Sequence, residues 1–562
     1  SNQDEPFIVD SPPPTVSGSL HIGHVFSYTQ TDIVARYQRM IGKNIFYPMG
    51  WDDNGLPTER RVQNYFGIKC NPKVAYAEGW KPNPDYNPKK DQVTEVSRNN
   101  FIEACAELTE EDEKAFEKMW RRLALSVDWT QTYATIDNHC RQISQRSFLD
   151  LVEKDQVYNS EAPTMWDVDF QSAIAQAELE DRERPGAYYD VKFGIEGGGD
   201  IIISTTRPEL IPACIAVVAH PDDERYQQYF GKTAITPLFH APLPIFPSEH
   251  AEMDKGTGIM MISTFGDIAD VDWWKQSDQP IRQIISRSGK LREVTFGEEP
   301  FASLNPEVAN KNYAELAGLY IKQAQKKIAE MLAEEGSGHD LKEAALQAEP
   351  RTIQHPVKFY EKGDRPLEFI PTRQWFIKTL EHRDDLVNQG KKINWHPEYM
   401  FTRYENWVLG LNQDWCISRQ RFFGVPFPVW YPVDSEGDAD YSKPIFAKAE
   451  NLPIDPLMDT PEGFNEDQRD QPGGFTGDPD VMDTWATSSM TPQISSHWGT
   501  DEERHKNLFP ANIRPQAHEI IRTWAFYTIV KAWLHSKEIP WKDILISGWV
   551  LDPDRKKMSK SK

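Results

Sequence analysis

The sequence of 562 residues has few cysteines, no long apolar run and no excess of positive charge. Its five cysteines lie far apart without paired spacing, which excludes a disulfide framework and a zinc knuckle, so no structural zinc is expected. No stretch approaches the roughly 20 apolar residues that a membrane span needs. Residues 1–5 have neither the basic nor the apolar segment of a secretory signal. These absences predict a cytoplasmic protein that does not contact membranes.

The charge balance is strongly acidic, with 86 acidic against 62 basic residues and a net charge of -24. Such a charge opposes indiscriminate nucleic-acid binding but leaves room for a local basic groove. A dense basic cluster lies at residues 555–562. Since aromatic residues make up 12% of the chain, the composition is that of a folded protein and excludes a wholly disordered one.

The first 50 residues have the pattern of a strand, a helix and a second strand. Residues 7–9 are apolar and precede three prolines, the apolar residues from Ile22 to Met40 follow a period near 3.6, and residues 44–47 read as the next strand. This order predicts a right-handed, parallel βαβ unit. We therefore predict an α/β fold that begins with a Rossmann-like nucleotide-binding domain.

The middle of the chain changes character and predicts an inserted domain of mixed, β-rich α/β type at residues 185–350. Strand-like runs occur at 201–204, 216–218, 258–262 and 283–285, and one long helical pattern covers 313–335. The insertion separates a first half at 1–184, which contains a helical excursion, from a second half at 351–562. The second half contains a loop-rich segment at 432–479, and a last helix is predicted at 518–535.

His21, Gly23 and His24 lie where the loop after the first strand enters the first helix. Backbone N–H groups and the helix dipole favour an anion at this point. The spacing of the two histidines puts both imidazoles on one helix face, and Gly23 leaves room for a flat base. The same residues also fit a simple capping turn with two solvated histidines.

Lys557, Ser559 and Lys560 form a basic, hydroxyl-rich string near the other end of the sequence. Two lysines three residues apart suit a loop that neutralises charge on a leaving pyrophosphate, although the string alone also fits a solvated tail. Together, and in this order on an α/β background, the two motifs resemble the HIGH and KMSKS signatures of class I aminoacyl-tRNA synthetases.

Four further segments narrow the resemblance to the valyl branch of that family. They are the proline-rich residues 12–20, the G-x-D residues 50–55, the W-C-I-S-R-Q residues 415–420 and the D-x-W residues 483–489. The resemblance implies that Asp52 holds the amino group of the amino acid and that Glu519 binds the ribose. Residues implied as walls of an apolar slot are Pro13, Trp415 and Trp485.

The reaction implied by the resemblance is attack of the valine carboxylate on ATP, which is used with Mg²⁺, followed by transfer of valine to tRNA(Val). His21, His24, Lys557 and Lys560 are the implied catalytic residues. They stabilise charge, so no covalent enzyme intermediate is needed. We recognise no Ser-His-Asp or Cys-His arrangement and no protein-bound metal site in the sequence, and we expect a monomer.

Within the insertion, Thr205, Thr206 and Arg207, followed by Asp267 and Asp270, resemble the editing motifs of the valyl, isoleucyl and leucyl enzymes. A hydrolytic site is expected there because an apolar pocket rejects an isosteric hydroxyl weakly. The resemblance implies that Asp270 holds the amino group of a misattached amino acid and that Asp267 reads the threonine hydroxyl. Arg207 and the two threonines would orient the terminal adenosine of the tRNA. A solvated turn and a strand edge are the simpler alternatives.

The resemblance stops at the KMSKS-like residues, where the family continues into an anticodon-binding domain, so we expect the sequence to lack that domain. Three functions stay open: an activating enzyme, an editing or binding module that activates nothing, and an isoleucine-selecting relative. The Val-Ser-Gly step at residues 16–18 favours valine. The intact histidine and lysine pairs favour an active enzyme.

Overall fold

The computed structural model describes residues 5–15, 20 and 22–555, and the chain divides into two units. The first unit comprises residues up to Asn159 and from Trp375 onward, and the second comprises Ser160–Gln374. The second unit therefore interrupts the first in sequence. The predicted insertion at 185–350 lies inside the second unit.

Short strands and longer helices alternate in the first part of the first unit. The strands are β1 (Pro6–Ile8), β2 (Asn44–Phe46), β3 (Gly50–Trp51), β4 (Ile68–Cys70), β5 (Thr94–Val96) and β6 (Tyr133–Ala134). The helices are α1 (Ile22–Met40), α2 (Leu56–Phe66), α3 (Arg98–Arg122) and α4 (Asn138–Glu153).

Strands dominate the second unit. They are β7 (Val157–Asp167), which begins in the first unit, β8 (Ser172–Ala173), β9 (Leu179–Ile195), β10 (Asp200–Thr205), β11 (Cys214–Ala219), β12 (Thr233–Ile235), β13 (Pro242–Pro247), β14 (Ile259–Ser263), β15 (Arg351–Tyr360) and β16 (Glu368–Ile377), which ends in the first unit. The helices are α5 (Ile268–Lys275), α6 (Pro306–Ala314) and α7 (Ile321–Ala333).

The return part of the first unit is again mixed. Its strands are β17 (Asn394–His396), β18 (Trp415–Cys416), β19 (Ser418–Arg419), β20 (Val429–Pro432), β21 (Ile445–Phe446), β22 (Phe475–Gly477), β23 (Val481–Met482), β24 (Ala511–Ala517) and β25 (Trp541–Ser547). Its helices are α8 (Arg383–Lys391), α9 (Phe401–Leu409), α10 (Thr484–Ser488), α11 (Thr491–Ser496), α12 (Glu502–Leu508) and α13 (Phe526–Ser536).

A parallel sheet joins both parts of the first unit. β1 pairs with β2, and β24 pairs with β25, which also pairs with β17, all in parallel. A parallel bridge between Val9 and Ile513 connects β1 to β24. The predicted strand, helix and parallel strand at the start of the chain are therefore confirmed. Val9, Tyr47 and Trp120 belong to the core cluster on which this sheet packs.

The apolar period of α1 predicted the helix correctly but does not mark its buried face. The residues of α1 that are buried include Tyr28, Asp32 and Ala35. Ile33 and Tyr37, which are part of the apolar pattern, are 62% and 58% exposed. Asp32 tolerates burial because it accepts hydrogen bonds from Arg36 and from the Ser126 backbone.

The main sheet of the second unit has the strand order β10-β9-β12-β13-β11-β14, and β15 pairs with β9 in a long antiparallel ladder. The strands predicted at 201–204, 216–218 and 258–262 are confirmed. Residues 283–285 form no strand and make only an isolated bridge from Ile285 to Leu291.

The helix predicted over 313–335 is wrong because the chain forms two helices there, α6 and α7. The intervening residue Gly318 has a φ of +78°, and its N–H donates to the Leu291 carbonyl, so the backbone turns instead of continuing the helix. The last predicted helix is also composite. It begins with a 3₁₀ turn at His518–Ile520 and a π-helical turn at Ile521–Ala525 before α13.

A buried relay of polar side chains connects α4 with α13. Lys531 Nζ donates to Ser147 Oγ at 2.7 Å, Ser147 Oγ lies 2.8 Å from His535 Nε2, and His535 Nδ1 lies 2.6 Å from Asp150 Oδ2. These distances are those of a Ser-His-Asp triad, which the sequence did not reveal. Ser147 is fully buried, however, so its hydroxyl is closed to a substrate and the relay is structural.

We expect Lys531→Met to flatten the pH dependence of stability between pH 7 and about pH 10. Burial lowers the pKa of Lys531 to about 7, whereas an unfolded lysine titrates near 10.4. Between these values the unfolded chain binds the extra proton, so this group makes the free energy of unfolding rise with pH. Urea unfolding at several pH values measures how steeply the free energy of unfolding rises with pH. The control is Lys542→Met, which replaces an exposed lysine and should leave this slope unchanged. An unchanged slope in Lys531→Met would contradict the assignment.

Among the described residues, no helix combines the length and apolar character that crossing a bilayer requires.

Candidate active site

A cavity of about 510 Å³ opens at the carboxyl ends of β1, β24 and β25 in the first unit. This edge is where parallel α/β sheets bind their ligands. Predicted residues from remote parts of the sequence line the cavity, and they are Pro13, Gly23, His24, Asp52, Trp485 and Glu519. The fold thus brings those predicted nucleotide-binding residues that the structure describes, and most of the predicted amino-acid-binding residues, to one place.

The remaining residues of the two signature motifs are His21, Lys557, Ser559 and Lys560, which lie outside the described residues. Gly23 and His24 lie in the first turn of α1, where unpaired backbone N–H groups favour an anion. The predicted roles of all six motif residues therefore stay predictions.

Asp52 lies on the cavity wall directly after β3, and backbone and side-chain contacts both hold it. Its N–H donates to the Pro14 carbonyl at 3.0 Å. Its carboxylate oxygens accept from two threonine hydroxyls, Oδ2 from Thr15 and Oδ1 from Thr135, each at 3.3 Å. The carboxylate is therefore oriented before any ligand binds, which suits it to a cationic group.

The two predicted wall tryptophans have different positions. Trp485 lies on α10 and lines the cavity, and its backbone N–H donates to Asp483 Oδ1 at 3.1 Å. Trp415 is buried, stacks on Tyr527 at 3.8 Å between ring centres, and donates from Nε1 to Asp483 Oδ2 at 3.0 Å. Trp415 is therefore not among the described residues that line the cavity. Instead it supports, through Asp483, the helix that carries Trp485.

A buried ion pair that no sequence pattern predicted lies behind the cavity. Arg514 on β24 donates from Nε to Asp10 Oδ2 at 2.7 Å, and its guanidinium lies 3.4 Å from the ring centre of Trp524 and 4.0 Å from that of Trp541. Burial raises the pKa of Asp10 and lowers that of Arg514 to about 10. The only indication in the sequence is that Asp10, an acidic residue, directly follows the apolar residues 7–9.

The residues predicted for editing lie in the second unit, and hydrogen bonds connect their two segments. The Arg207 N–H donates to Thr205 Oγ1 at 3.0 Å, and Arg207 Nη1 donates to the Gly266 carbonyl at 3.3 Å, next to Asp267. The carbonyl of Thr206 accepts from Gln325 Nε2 at 3.0 Å. The structure thus places Thr205, Thr206 and Arg207 beside the loop that leads to Asp267 and Asp270, and their hydrolytic role stays a prediction.

Arg207 is held between two buried glutamates. It donates from Nε to Glu209 at 2.9 Å and from Nη2 to Glu368 at 2.8 Å. Burial alone would lower the pKa of Arg207, but the charges of Glu368 and Glu209 outweigh it and raise the pKa. This arrangement makes Arg207 a structural clamp between the two glutamates, and its predicted contact with the tRNA stays a prediction.

The two aspartates of the predicted editing site differ in exposure. Asp267 is exposed and caps α5, since its Oδ1 accepts from the Asp270 N–H at 3.0 Å. Asp270 is buried, and its carboxylate accepts from the backbone N–H groups of Ser263 and Gly266 at 3.2 and 2.7 Å. Burial, together with the charge of Asp267, raises the pKa of Asp270 well above its usual range.

Histidine, cysteine and carboxylate side chains in the described part of the chain form no group of three or more that could hold a metal ion.

We expect Arg207→Gln to destabilise the second unit by about 3–5 kcal/mol, because it leaves two buried carboxylates without their counter-charge. The matched control is Arg365→Gln, whose guanidinium pairs with Asp169 at 3.1 Å and is 49% exposed, so its loss costs less than about 1 kcal/mol. Thermal unfolding of both variants measures the difference. Equal stability of the two variants would contradict the clamp assigned to Arg207.

Comparison with known proteins identifies the family. The family described as tRNA synthetases class I (I, L, M and V) matches residues 1–79 and 84–562. Similar relatives include the valine--tRNA ligases of Thermobifida fusca (strain YX), 56% identical over 100% of this chain, and of Salinispora arenicola (strain CNS-205), 53% identical over 100% of it. The chain spans 62% and 64% of the lengths of these two relatives.

Among solved structures, a ternary complex of Agrobacterium radiobacter K84 LeuRS, tRNA and LeuAMS is similar at 17% identity and a TM-score of 0.47, covering 100% of this chain and 66% of that one. The resemblance inferred from the signature motifs is confirmed by the family match. The chain belongs to the class I tRNA synthetase family that includes the I, L, M and V enzymes.

Proposed function

We propose that the chain activates L-valine with ATP to form valyl-adenylate and that the protein to which it belongs transfers valine to tRNA(Val). The single observation that carries the proposal is the shared cavity, because the nucleotide-binding residues Gly23 and His24 line it together with Asp52 and Trp485. The names of the similar relatives favour valine as the amino acid.

The residues of the cavity divide into groups with different chemical tasks. Asp52 pairs with the ammonium of valine, while Pro13 and Trp485 surround the aliphatic side chain without a hydrogen-bonding group. The N-terminus of α1, with His24 and the predicted His21, binds the phosphates of ATP, which enters as its Mg²⁺ complex. Glu519 accepts hydrogen bonds from the ribose hydroxyls.

The reaction we propose is an in-line displacement at phosphorus. A carboxylate oxygen of valine attacks the α-phosphorus of ATP, and the bond to pyrophosphate breaks. Lys557 and Lys560 neutralise the charge that develops on the leaving pyrophosphate, as their sequence motif predicts. Catalysis then depends on positioning and charge stabilisation, so no side chain forms a covalent bond with the substrate.

The second unit supplies the proposed hydrolytic editing site, which removes threonine from mischarged tRNA(Val). Valyl enzymes reject threonine by a factor of only about 10² at the activating site, which is an established figure for this class. Asp270 is proposed to bind the amino group of the threonyl ester and Asp267 its hydroxyl, and Thr205 and Thr206 the terminal nucleotide. Because Arg207 is held by Glu209 and Glu368, we propose that it supports the loop before Asp267.

We expect amino-acid-dependent exchange of pyrophosphate into ATP to be strongest with valine, weaker with threonine, and weakest with isoleucine and leucine. An apolar slot of fixed size excludes larger side chains by overlap but rejects an isosteric hydroxyl only weakly. The assay needs no tRNA and uses the 562-residue chain. Isoleucine as the best substrate would overturn the specificity, and no exchange with any of the four would favour an editing or binding module.

We expect the chain to hydrolyse threonyl-tRNA(Val). Asp270→Asn should slow that hydrolysis at least about tenfold, because an amide replaces the carboxyl group proposed to accept from the substrate ammonium. Neither the unmodified chain nor Asp270→Asn should hydrolyse valyl-tRNA(Val). The matched control is Asp272→Asn, which changes an exposed carboxylate on the same helix and should hydrolyse at the original rate. Equal rates for all three proteins would contradict the assignment of Asp270.

A further inference from the structure

Thr135 lies 83 residues from Asp52 in sequence and belongs to neither signature motif, yet its hydroxyl contacts the Asp52 carboxylate. Its Oγ1 lies 3.3 Å from Asp52 Oδ1 and 3.1 Å from the backbone nitrogen of Asp53. The side chain is fully buried, and it is not among the described residues that line the cavity. A substrate would therefore meet Asp52 but not Thr135.

The geometry fixes the direction of the Thr135 hydroxyl proton. The Asp53 N–H is a donor, so Oγ1 accepts from it, and the single hydroxyl proton is then directed to Asp52. The backbone of Thr135 is also anchored, because its N–H donates to the Trp51 carbonyl at 2.9 Å. The hydroxyl is thus a donor held in place on two sides, behind the carboxylate and away from the ligand.

The neighbouring Asp53 differs from Asp52 in exposure. Its side chain is fully buried, and burial raises the pKa of Asp53 well above its usual range. Asp52, in contrast, lines the cavity, where its carboxylate can meet a cation. The charge of Asp52 is then compensated by donors such as Thr15 on Oδ2 and Thr135 on Oδ1.

We infer that Thr135 is a positioning residue of the amino-acid site, whose hydroxyl holds the Asp52 carboxylate in the orientation that receives the substrate ammonium. The inference rests on the proposed function, since it assigns the ammonium to Asp52. Thr15 lines the cavity and belongs to the proline-rich segment, whereas Thr135 supports the same carboxylate from inside the protein.

Removing this hydroxyl affects one substrate selectively. A misoriented Asp52 binds the ammonium of valine less well, but the phosphates and ribose of ATP contact other residues of the cavity. The Michaelis constant for valine should therefore rise while that for ATP stays unchanged. A general loss of folding would instead lower kcat or change both constants.

The test compares Thr135→Val, Thr135→Ser and Thr109→Val in the pyrophosphate exchange assay with the 562-residue chain. Thr135→Val keeps the shape but lacks the hydroxyl, and we expect a rise of about tenfold in the KM for valine, as for loss of one hydrogen bond to a charged group. Thr135→Ser restores the hydroxyl and should return the KM to within about threefold of the original value.

Thr109→Val is the matched control for replacing a buried threonine. Thr109 is buried in α3, and its hydroxyl donates only within the helix, to the carbonyls of Cys105 and Ala106 at 3.0 Å each. We expect no change in either KM. Thermal unfolding of all three variants separates a loss of stability from a loss of binding.

The outcomes separate this inference from the proposed function. Normal valine-dependent exchange with an unchanged KM in Thr135→Val would overturn the role of Thr135 and leave the proposed function intact. Absence of exchange in the unmodified chain would overturn activation, and calorimetric titration with L-valine would then test Thr135 directly. An equal rise in the KM for ATP, or the same change in Thr109→Val, would also overturn the inference.

Discussion

The buried ion pair between Arg514 and Asp10 is the interaction on which the cavity depends. It joins β24 to the loop after β1, two segments 504 residues apart in sequence. Both partners are removed from water, so the pair is stable only because the hydrogen-bond geometry is good and the guanidinium lies against the rings of both Trp524 and Trp541. Both loops that leave this pair, the prolines after Asp10 and the segment after β24, line the cavity.

Three aspartates of the first unit show how environment separates identical side chains into different roles. Asp10 is compensated by a full positive charge and Asp52 by hydroxyl donors, whereas Asp53 is fully buried and burial raises its pKa. Since only Asp52 lines the cavity, its negative charge is the one that a substrate meets. Burial and hydrogen bonding, rather than residue type, therefore determine which carboxylate can bind a cation.

The second unit uses charge in a more structural way. Arg207 belongs to a segment that resembles a nucleotide-contacting motif, but its guanidinium neutralises Glu209 and Glu368 and contacts the loop before Asp267. The backbone N–H groups around Asp270 hold that carboxylate in turn. The proposed hydrolytic site in this unit consequently combines the buried Asp270 with Thr205, Thr206 and the exposed Asp267, and Arg207 supports them.

Local patterns in the sequence were sufficient for several parts of the structure. The prolines after β1, the period of α1 and the apolar run of β2 predicted a parallel βαβ unit, because those features depend on residues close in sequence. The same reasoning failed at residues 313–335, where a turn at Gly318 is stabilised by a hydrogen bond to Leu291, and it did not reveal that α1 buries Asp32 and exposes Ile33.

The HIGH-like and KMSKS-like motifs were also recognisable from residue type and spacing, and the family assignment followed from them. The sequence by itself determined the family, and it predicted the α/β fold class and the residues of the site, since residue type, spacing and local propensity are properties of the chain alone. Only the tertiary structure decided that Trp415 supports Trp485 from behind, that Arg207 is clamped, and that Thr135 contacts Asp52. These relations join residues 68, 161 and 83 positions apart, and such contacts depend on how strands and helices pack rather than on any local pattern.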